Sequence, residues 1–409
     1  MRIARRTFLA SAIAAVAAPA IVRVAAADAS RVTFKLHHDF SSVSCVHDRF
    51  LAPWARKVEA DSGGRIRVDI FPSMQLGGQP AQLFDQARDG VADIVWAAPS
   101  NTPGRFAKIE VFELPFVAAR RALVSSRALE DYAEANLKDE FHEVHPISFS
   151  CADRGVVHTN RPIRTVEEIK GLRLHVQTRF AGEAVRTLGG RAVPMPNAQL
   201  PLAIARHVID GCLDPWHLAP ALKLYDLLKA HTDFADGSLS SRTFVLAMNK
   251  VAYERLPREL KAAIDNNSGQ TAAGMAGAMW DLEAAAVADM VVQRGDSIAT
   301  LLPEAVEHWR MATEPVIEAW QRQMKEHKLD GGKLIANARS LLQQYANEPE
   351  PQPPKPAQPP QPEQKVVAQP AKADTSVPAV NATPAAPPAP VAKPAPTAAS
   401  PRKELDIPL

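Results

Sequence analysis

Two short runs carry side chains able to hold a small anion: His175-Val176-Gln177-Thr178-Arg179 and Asp214-Pro215-Trp216. Each follows a run of apolar alternation, at the carboxyl end of a predicted strand. In open α/β sheets ligands collect at such ends, where helix N-termini aim free N–H groups outward. Arg179 opens a predicted helix, and its planar, permanently charged fork matches a carboxylate; the bland alternative is a solvated arginine. Asp214 has the chemistry to accept a hydroxyl or help hold a cation. Trp216 would either form an apolar wall with a single donor or simply pack between elements. Arg154, following a predicted strand that ends at Cys151, is a further cationic candidate. From the amino-terminal half, the turn after the first strand (His38, Asp39, Ser42) and Ser100-Asn101 after Trp96 are predicted to face the same cleft. His37, His38 and His47 match no standard metal spacing, so no metal is expected. The chain has no Gly-rich phosphate loop, zincin motif or Gly-x-Ser-x-Gly elbow, so no catalytic residue and no cofactor are expected.

The elements that must position these residues are legible as alternating periods. Val32, Phe34 and Leu36 alternate as a strand, and Phe50, Trp54 and Val58 recur at helical spacing. Arg65 to Phe71 reads as a second strand, Pro80 to Asp89 as a helix ended by Gly90, and Asp93 to Trp96 as a third strand. This βαβαβ run predicts a mainly parallel sheet covered by helices on both faces. The pattern restarts after Arg164. Thr165 and Glu168 are spaced as a capping box, and Leu172, Leu174 and Val176 alternate. A helix with Phe180, Ala184, Val185 and Leu188 on one face then stops at Gly189-Gly190. Further segments read as a strand over 192–195, a helix over 198–207, a strand over 208–213 and a helix over 218–228. A strand over 243–248 precedes a long helical run from Arg258 to about Arg294, long enough to brace two lobes. Trp309 and Trp320 fall on later helices, expected to pack against one lobe. The fold class is therefore α/β in two lobes: residues 28–150 completed by 240–280, and residues 151–239 completed by 281–346.

The ends read differently. Arg5-Arg6-Thr7-Phe8-Leu9 fits a twin-arginine export signal, followed by an apolar stretch from Ala10 to Val22 and small residues at Ala25-Ala26-Ala27, so cleavage is expected after Ala27. The apolar stretch, broken by Pro19 and Arg23, falls short of the ~20 residues that span a bilayer. Residues 347–409 hold about half of the chain's 35 prolines and few large apolar residues. That composition predicts a disordered or polyproline-like tail, either an inert extension or an arm that contacts an envelope partner. Forty-seven basic residues balance 45 acidic ones, with no basic face interleaved with aromatics, so nucleic acid is excluded as a partner. Cys45, Cys151 and Cys212 are few and far apart; buried free thiols are favoured over a single disulfide.

Several motifs in order give the chain a family likeness. They are Gly63-Gly64-Arg65-Ile66-Arg67-Val68 with Gln75-Leu76-Gly77-Gly78 and Glu113-Leu114-Pro115-Phe116; Asn160-Arg161-Pro162-Ile163; Lys170-Gly171-Leu172-Arg173-Leu174; Leu188-Gly189-Gly190 through Pro196; and Val208-Ile209-Asp210-Gly211. Over roughly Val32 to Arg294 the sequence resembles the solute-binding proteins of tripartite ATP-independent periplasmic (TRAP) transporters, of the C4-dicarboxylate-binding type. The resemblance implies a periplasmic-binding-protein-like fold whose lobes close about a hinge. It implies a periplasmic receptor that captures a small organic acid and hands it to integral-membrane TRAP permease subunits. It also implies that His175 stands where the family usually places the carboxylate-binding arginine, and that the region of Trp216 borders the ligand. An aromatic or hydroxylated acid, in place of a plain dicarboxylate, would account for the histidine. A receptor for an ATP-driven importer or a sensor kinase shares the two-lobe plan, and an enzyme on that scaffold is the more distant alternative.

Overall fold

Buried and exposed side chains alternate from the first ordered strand, where Phe34 and Leu36 point into a core and Thr33 and Lys35 to solvent. The computed structural model describes residues 31–348; the expected export signal at 1–27 and nearly all of the 347–409 segment lie outside the described residues. The strands are β1 (Val32–His38), β2 (Ile66–Phe71), β3 (Ile94–Ala97), β4 (Val144–Cys151), β5 (Gly155–Thr159), β6 (Arg173–Val176), β7 (Arg191–Val193), β8 (Gly211–Pro215), β9 (Ala230–Phe234), β10 (Thr243–Asn249) and β11 (Ser297–Leu301). The helices are α1 (Ala52–Asp61), α2 (Leu83–Asp89), α3 (Ala122–Asn136), α4 (Arg179–Thr187), α5 (Leu200–Ala205), α6 (Leu218–Ala221), α7 (Lys250–Glu254), α8 (Arg258–Asp265), α9 (Gln270–Gln293), α10 (Pro303–Glu326) and α11 (Gly331–Ala346).

Two sheets result, ordered β2-β1-β3-β10-β4 and β11-β9-β5-β8-β6-β7. Both are mixed, where the βαβαβ run suggested a mainly parallel sheet for the first. In the first, β1 runs parallel to β2 and β3 while β10 is antiparallel to β3 and β4. In the second, β6 runs parallel to β7 and β8, and β5 is antiparallel to β8 and β9. The reversed strands sit where the chain passes between sheets, from β4 to β5 and from β9 to β10. Because β10 is reversed, its amino end lies beside the carboxyl ends of β3 and β4. That reversal decides which residues reach the cleft.

Each sheet is packed on both faces. On the first, Phe84, Phe112, Leu129, Tyr132 and Phe149 form one core, and Phe50, Trp54, Trp96, Ile264 and Trp280 the other. On the second, Leu174, Val185, Phe234 and Trp309 form one core, and Leu200, Ile204, Trp216 and Val287 the other. Each such fully buried large side chain contributes about 1.5–3 kcal/mol.

Two long helices serve both lobes. Helix α9 puts Ala276, Met279 and Trp280 into the first lobe's core and Ala284, Val287 and Val291 into the second's. It runs so close to α3 that a Cβ on Gly277 would meet Leu123 Cα at 2.6 Å. Asp281 of α9 also accepts from the amides of Ala122 and Leu123 at 2.7 and 3.1 Å, capping α3. Helix α10 seats Trp309 in the second lobe's core and Val316, Ile317 and Trp320 in the first's, with Pro315 between the two tryptophans. The expectation that both tryptophans pack on one lobe is thus corrected. Helix α11, assigned by sequence to the second lobe within 281–346, packs Leu334, Ile335 and Leu342 beside Leu129 in the first. The reason is that α10 carries the chain back across. The thiols of Cys45, Cys151 and Cys212 are all free. No helix among the described residues is long and apolar enough to cross a membrane.

Candidate functional site

The strand ends converge on a cleft of about 660 Å³, within the range of small-molecule sites. Its lining comes from the loops after β1 (Asp39, Phe40, Ser41, Val43, Ser44, Cys45), β2 (Ser73), β4 (Ala152), β6 (Gln177) and β7 (Asn197, Ala198), and from the end of β8 (Pro215) with the His217 turn beyond it. The amino end of β10 adds Arg242 and Phe244, and α9 adds Glu283. A second depression of about 450 Å³, lined by Val32, Phe34, Arg65 and Arg255, lies at the amino ends of β1 and β2, where the sheet offers no converging loops.

The loop after β1 is held in place from below. Ser73 and Met74 adopt left-handed backbone (φ 53° and 57°), and their amides donate to the carbonyls of Phe40 at 2.8 Å and His38 at 3.1 Å. Two consecutive non-glycine residues in that region cost about 1–3 kcal/mol each, and the expenditure fixes the turn bearing Phe40. Phe40 lies 5.8 Å from Phe244 and 6.4 Å from both Trp280 and His217, centroid to centroid. Phe244 in turn stacks on Trp96 at 5.0 Å. Together these rings make an aromatic wall.

Arg242 supplies the positive charge. Among the described residues that line the cleft it is the one arginine or lysine. Its guanidinium lies 5.5 Å from the Phe244 ring centre, one arm donates to Gln177 Oε1 at 3.1 Å, and the other to Asn101 Oδ1 at 2.6 Å. Of the five N–H donors of a guanidinium, these contacts commit two, and the buried Nε–H has no partner. An unpartnered buried donor costs about 1–3 kcal/mol, and an incoming carboxylate would relieve it. His217 is oriented by Asp153, which takes its ring Nδ1–H at 2.5 Å and its amide at 3.2 Å. The acidic lining is partly offset: Glu283 pairs with Arg49 at 2.8 Å. Burial raises the Asp39 pKa, with Arg242, its own amide and His37 opposing.

The sequence candidates fall into three groups. Asp39 lines the cleft, and Asn101 reaches it through Arg242. Ser42 lies exposed in the correct loop, yet its neighbours Ser41, Val43 and Ser44 form the lining. His38 is buried behind the loop, 3.1 Å from His47 Nδ1, and burial followed by the charges of His47 and His37 pushes its pKa down to about 3. His175 and Asp214 are buried beneath the floor, joined at 2.7 Å. Asp214 and Pro215 belong to β8 itself, because the strand starts three residues later than the Val208–Leu213 segment suggested.

The remaining three are committed elsewhere. Arg179 donates to Glu110 Oε2 at 2.7 Å and Gln323 Oε1 at 2.9 Å, tying α4 to the first lobe outside the cleft. Arg154 forms a two-pronged pair with Asp233 at 2.7 and 2.6 Å. Trp216 is wholly buried, 5.3 Å from His158 and 5.2 Å from His231, and takes no part in the lining. Arg242, His217 and Phe40 were not legible in the sequence, and Gln177 lay within the His175–Arg179 run without being singled out; the signal for Arg242 was its position directly before a strand. Among the described residues no group of three or more His, Cys, Asp or Glu is placed to hold a metal ion.

Comparison with known proteins gives a consistent result. The family model for bacterial extracellular solute-binding protein, family 7 (DctP) matches residues 37–323. A TRAP solute-binding protein from Rhodoferax ferrireducens T118, crystallised with copurified benzoate, is 37% identical, with a TM-score of 0.73 over 77% of this chain and 98% of that one. A marine metagenome TRAP solute-binding protein specific for aromatic acid ligands, in complex with 3-hydroxybenzoate, is 35% identical, with a TM-score of 0.73 over 77% of this chain and 99% of that one. A third, from Bordetella bronchiseptica with bound (R)- and (S)-mandelate, is 25% identical, with a TM-score of 0.70 over 76% of this chain and 99% of that one.

Proposed function

The chain belongs to the bacterial extracellular solute-binding protein family 7, the solute receptors of TRAP transporters, and on that premise we propose that it captures an aromatic monocarboxylic acid. The observation that carries the proposal is Arg242: a cationic fork with an unpartnered buried N–H, held by residues of both lobes, beside an aromatic wall. The carboxylate takes the open side of the guanidinium, and the ring lies against Phe40 and Phe244. A second carboxylate on the ligand would face Asp39 and Glu283 across the same cleft, so a dicarboxylate is disfavoured by like charge. The three solved relatives bound to benzoate, 3-hydroxybenzoate and mandelate support this choice of ligand class.

Gln177 belongs to the second lobe, and Arg242 with Asn101 to the first, so ligand capture at Arg242 favours the arrangement in which the lobes meet. Delivery to a membrane permease in the envelope follows from the family; export with cleavage after Ala27 is part of the proposal. Calorimetric titration of the mature protein with benzoate, 3-hydroxybenzoate, mandelate and succinate tests the ligand class. Aromatic monoacids should bind and succinate should not; succinate binding as tightly as benzoate would overturn the assignment.

A further inference from the structure

We infer that His175 carries both ring protons and acts as a positioning residue, setting the direction of the Arg242 guanidinium through Asp214 and Gln177. The inference rests on the reading of Arg242 as the carboxylate anchor. His175 is 1% exposed and does not line the cleft, so it acts from beneath.

The argument starts with hydrogen-bond polarity. The Nδ1 of His175 faces Asp214 Oδ2 at 2.7 Å, and its Nε2 faces the Met195 carbonyl oxygen at 3.1 Å. Both partners are acceptors. A neutral imidazole donates once, so it would leave either the buried Asp214 carboxylate or the Met195 carbonyl without its proton; the imidazolium satisfies both. Asp214 is fully buried, and its second oxygen, Oδ1, accepts from Gln177 Nε2 at 2.9 Å. Because that oxygen accepts, the Gln177 amide is obliged to present nitrogen to it and Oε1 to Arg242, 3.1 Å away. A flipped amide would set acceptor against acceptor at Asp214 and donor against donor at Arg242. The order from Met195 to Arg242 is therefore fixed, and Asn101 steadies the other arm of the guanidinium at 2.6 Å.

The electrostatics run the same way. Burial by itself lowers the His175 pKa, but the hydrogen bond and charge of Asp214, helped by the Met195 carbonyl, outweigh it and the net shift is upward. Burial by itself raises Asp214, but His175, then Gln177 and Cys212, bring it below the ordinary carboxylate value. The titratable groups facing His175 from β8 are Asp214 and Cys212, which lies opposite it in register with a thiol pushed far up by burial. From the β7 side it meets Val193 and, beyond the strand end, the Met195 carbonyl. Since the folded pKa is raised, the charged state persists below it and is lost as pH climbs through it. Loss of that proton orphans one acceptor and loosens the hold on Gln177 and Arg242.

Two measurements test this. In the unliganded protein, nitrogen-15 NMR of the imidazole should show both His175 nitrogens protonated at pH 7; a neutral tautomer there overturns the inference whether or not any acid binds. Benzoate titrations from pH 6.5 to 9.5 should show Kd rising about tenfold, the value of one lost charge-assisted hydrogen bond. The rise should persist in His217→Gln, whose ring also borders the cleft, and vanish in His175→Gln, which should bind more weakly throughout. A flat wild-type profile, or an equal slope in His175→Gln, refutes the positioning role. If His175→Gln fails to fold, the NMR result decides. Failure of every aromatic acid to bind would instead strike the ligand assignment and leave the NMR result to judge His175.

Discussion

Replacing Arg242 by alanine separates recognition from architecture more cleanly than any other change in the cleft. The side chain gives the site its permanent positive charge, and its removal also strips the donors from Gln177 Oε1 and Asn101 Oδ1. Truncating one member of a hydrogen-bonded charge pair costs ~2–5 kcal/mol, about 30-fold to several thousandfold in Kd. The cleft is open to solvent and Arg242 is only half-buried, which places the expected loss in the lower part, ~2–3 kcal/mol or about 30- to 150-fold. Arg242→Lys retains charge but not the planar fork, so a loss of about tenfold is expected. Stability should move little, because the residue sits at a strand end and gives up one ring contact and two hydrogen bonds. Calorimetry with benzoate at pH 7, paired with thermal melts, reads both quantities. Benzoate binding within threefold of the wild type in Arg242→Ala would refute the anchor assignment and with it the geometry of the proposed site.

Three further outcomes are expected. Arg179→Ala should leave benzoate affinity unchanged while lowering stability by about 1–2 kcal/mol in denaturant melts, since it ties α4 to Glu110 at a partly solvent-screened pair; a large loss of affinity instead would return Arg179 to the site. Trp216→Ala should cost about 3–5 kcal/mol through the cavity it leaves in a fully buried core, measurable by urea unfolding, whereas Trp216→Phe should retain binding. Burial, opposed by the Phe149 amide and reinforced by Asp131 and Glu134, raises the Glu130 pKa from 4.5 to about 7. Between those values the native state holds a proton the unfolded chain lacks, so Glu130 makes stability fall as pH rises from about 4.5 to about 7. Melting temperature against pH should show that decline flattened in Glu130→Gln; an unaltered slope would mean Glu130 is ionised throughout.

Local signals survived folding well. The Thr165–Glu168 capping box forms as spaced, with Glu168 accepting from the Thr165 amide, and Gly90 ends α2 in the left-handed region at φ 76°. The β1–α1–β2 and β6–α4 runs stand where alternation placed them. Misplacement began where an apolar pair imitated a strand: Val208 is half exposed, His207 turns left-handed at φ 54°, and β8 starts only at Gly211. That shift buried Asp214 instead of exposing it. Partner choice was the other hidden quantity. Nothing near Arg179 in sequence announces Glu110 and Gln323, 69 and 144 residues away. Arg242 follows a serine-rich loop, and its value comes from the reversed pairing of β10 with β3, a fact that belongs to the assembled sheet.

Pro315 interrupts α10 between its two seated tryptophans. Lacking an N–H, it leaves the carbonyl of Met311 without its usual rung, and its ring crowds the same turn. A continuous rod gripping both lobes would resist any change in their spacing. One with a missing rung midway concentrates its own compliance there, while Trp309 and Trp320 stay anchored in their separate cores. Of the two helices that join the halves, α9 is unbroken, and the softer point lies in α10 at Pro315.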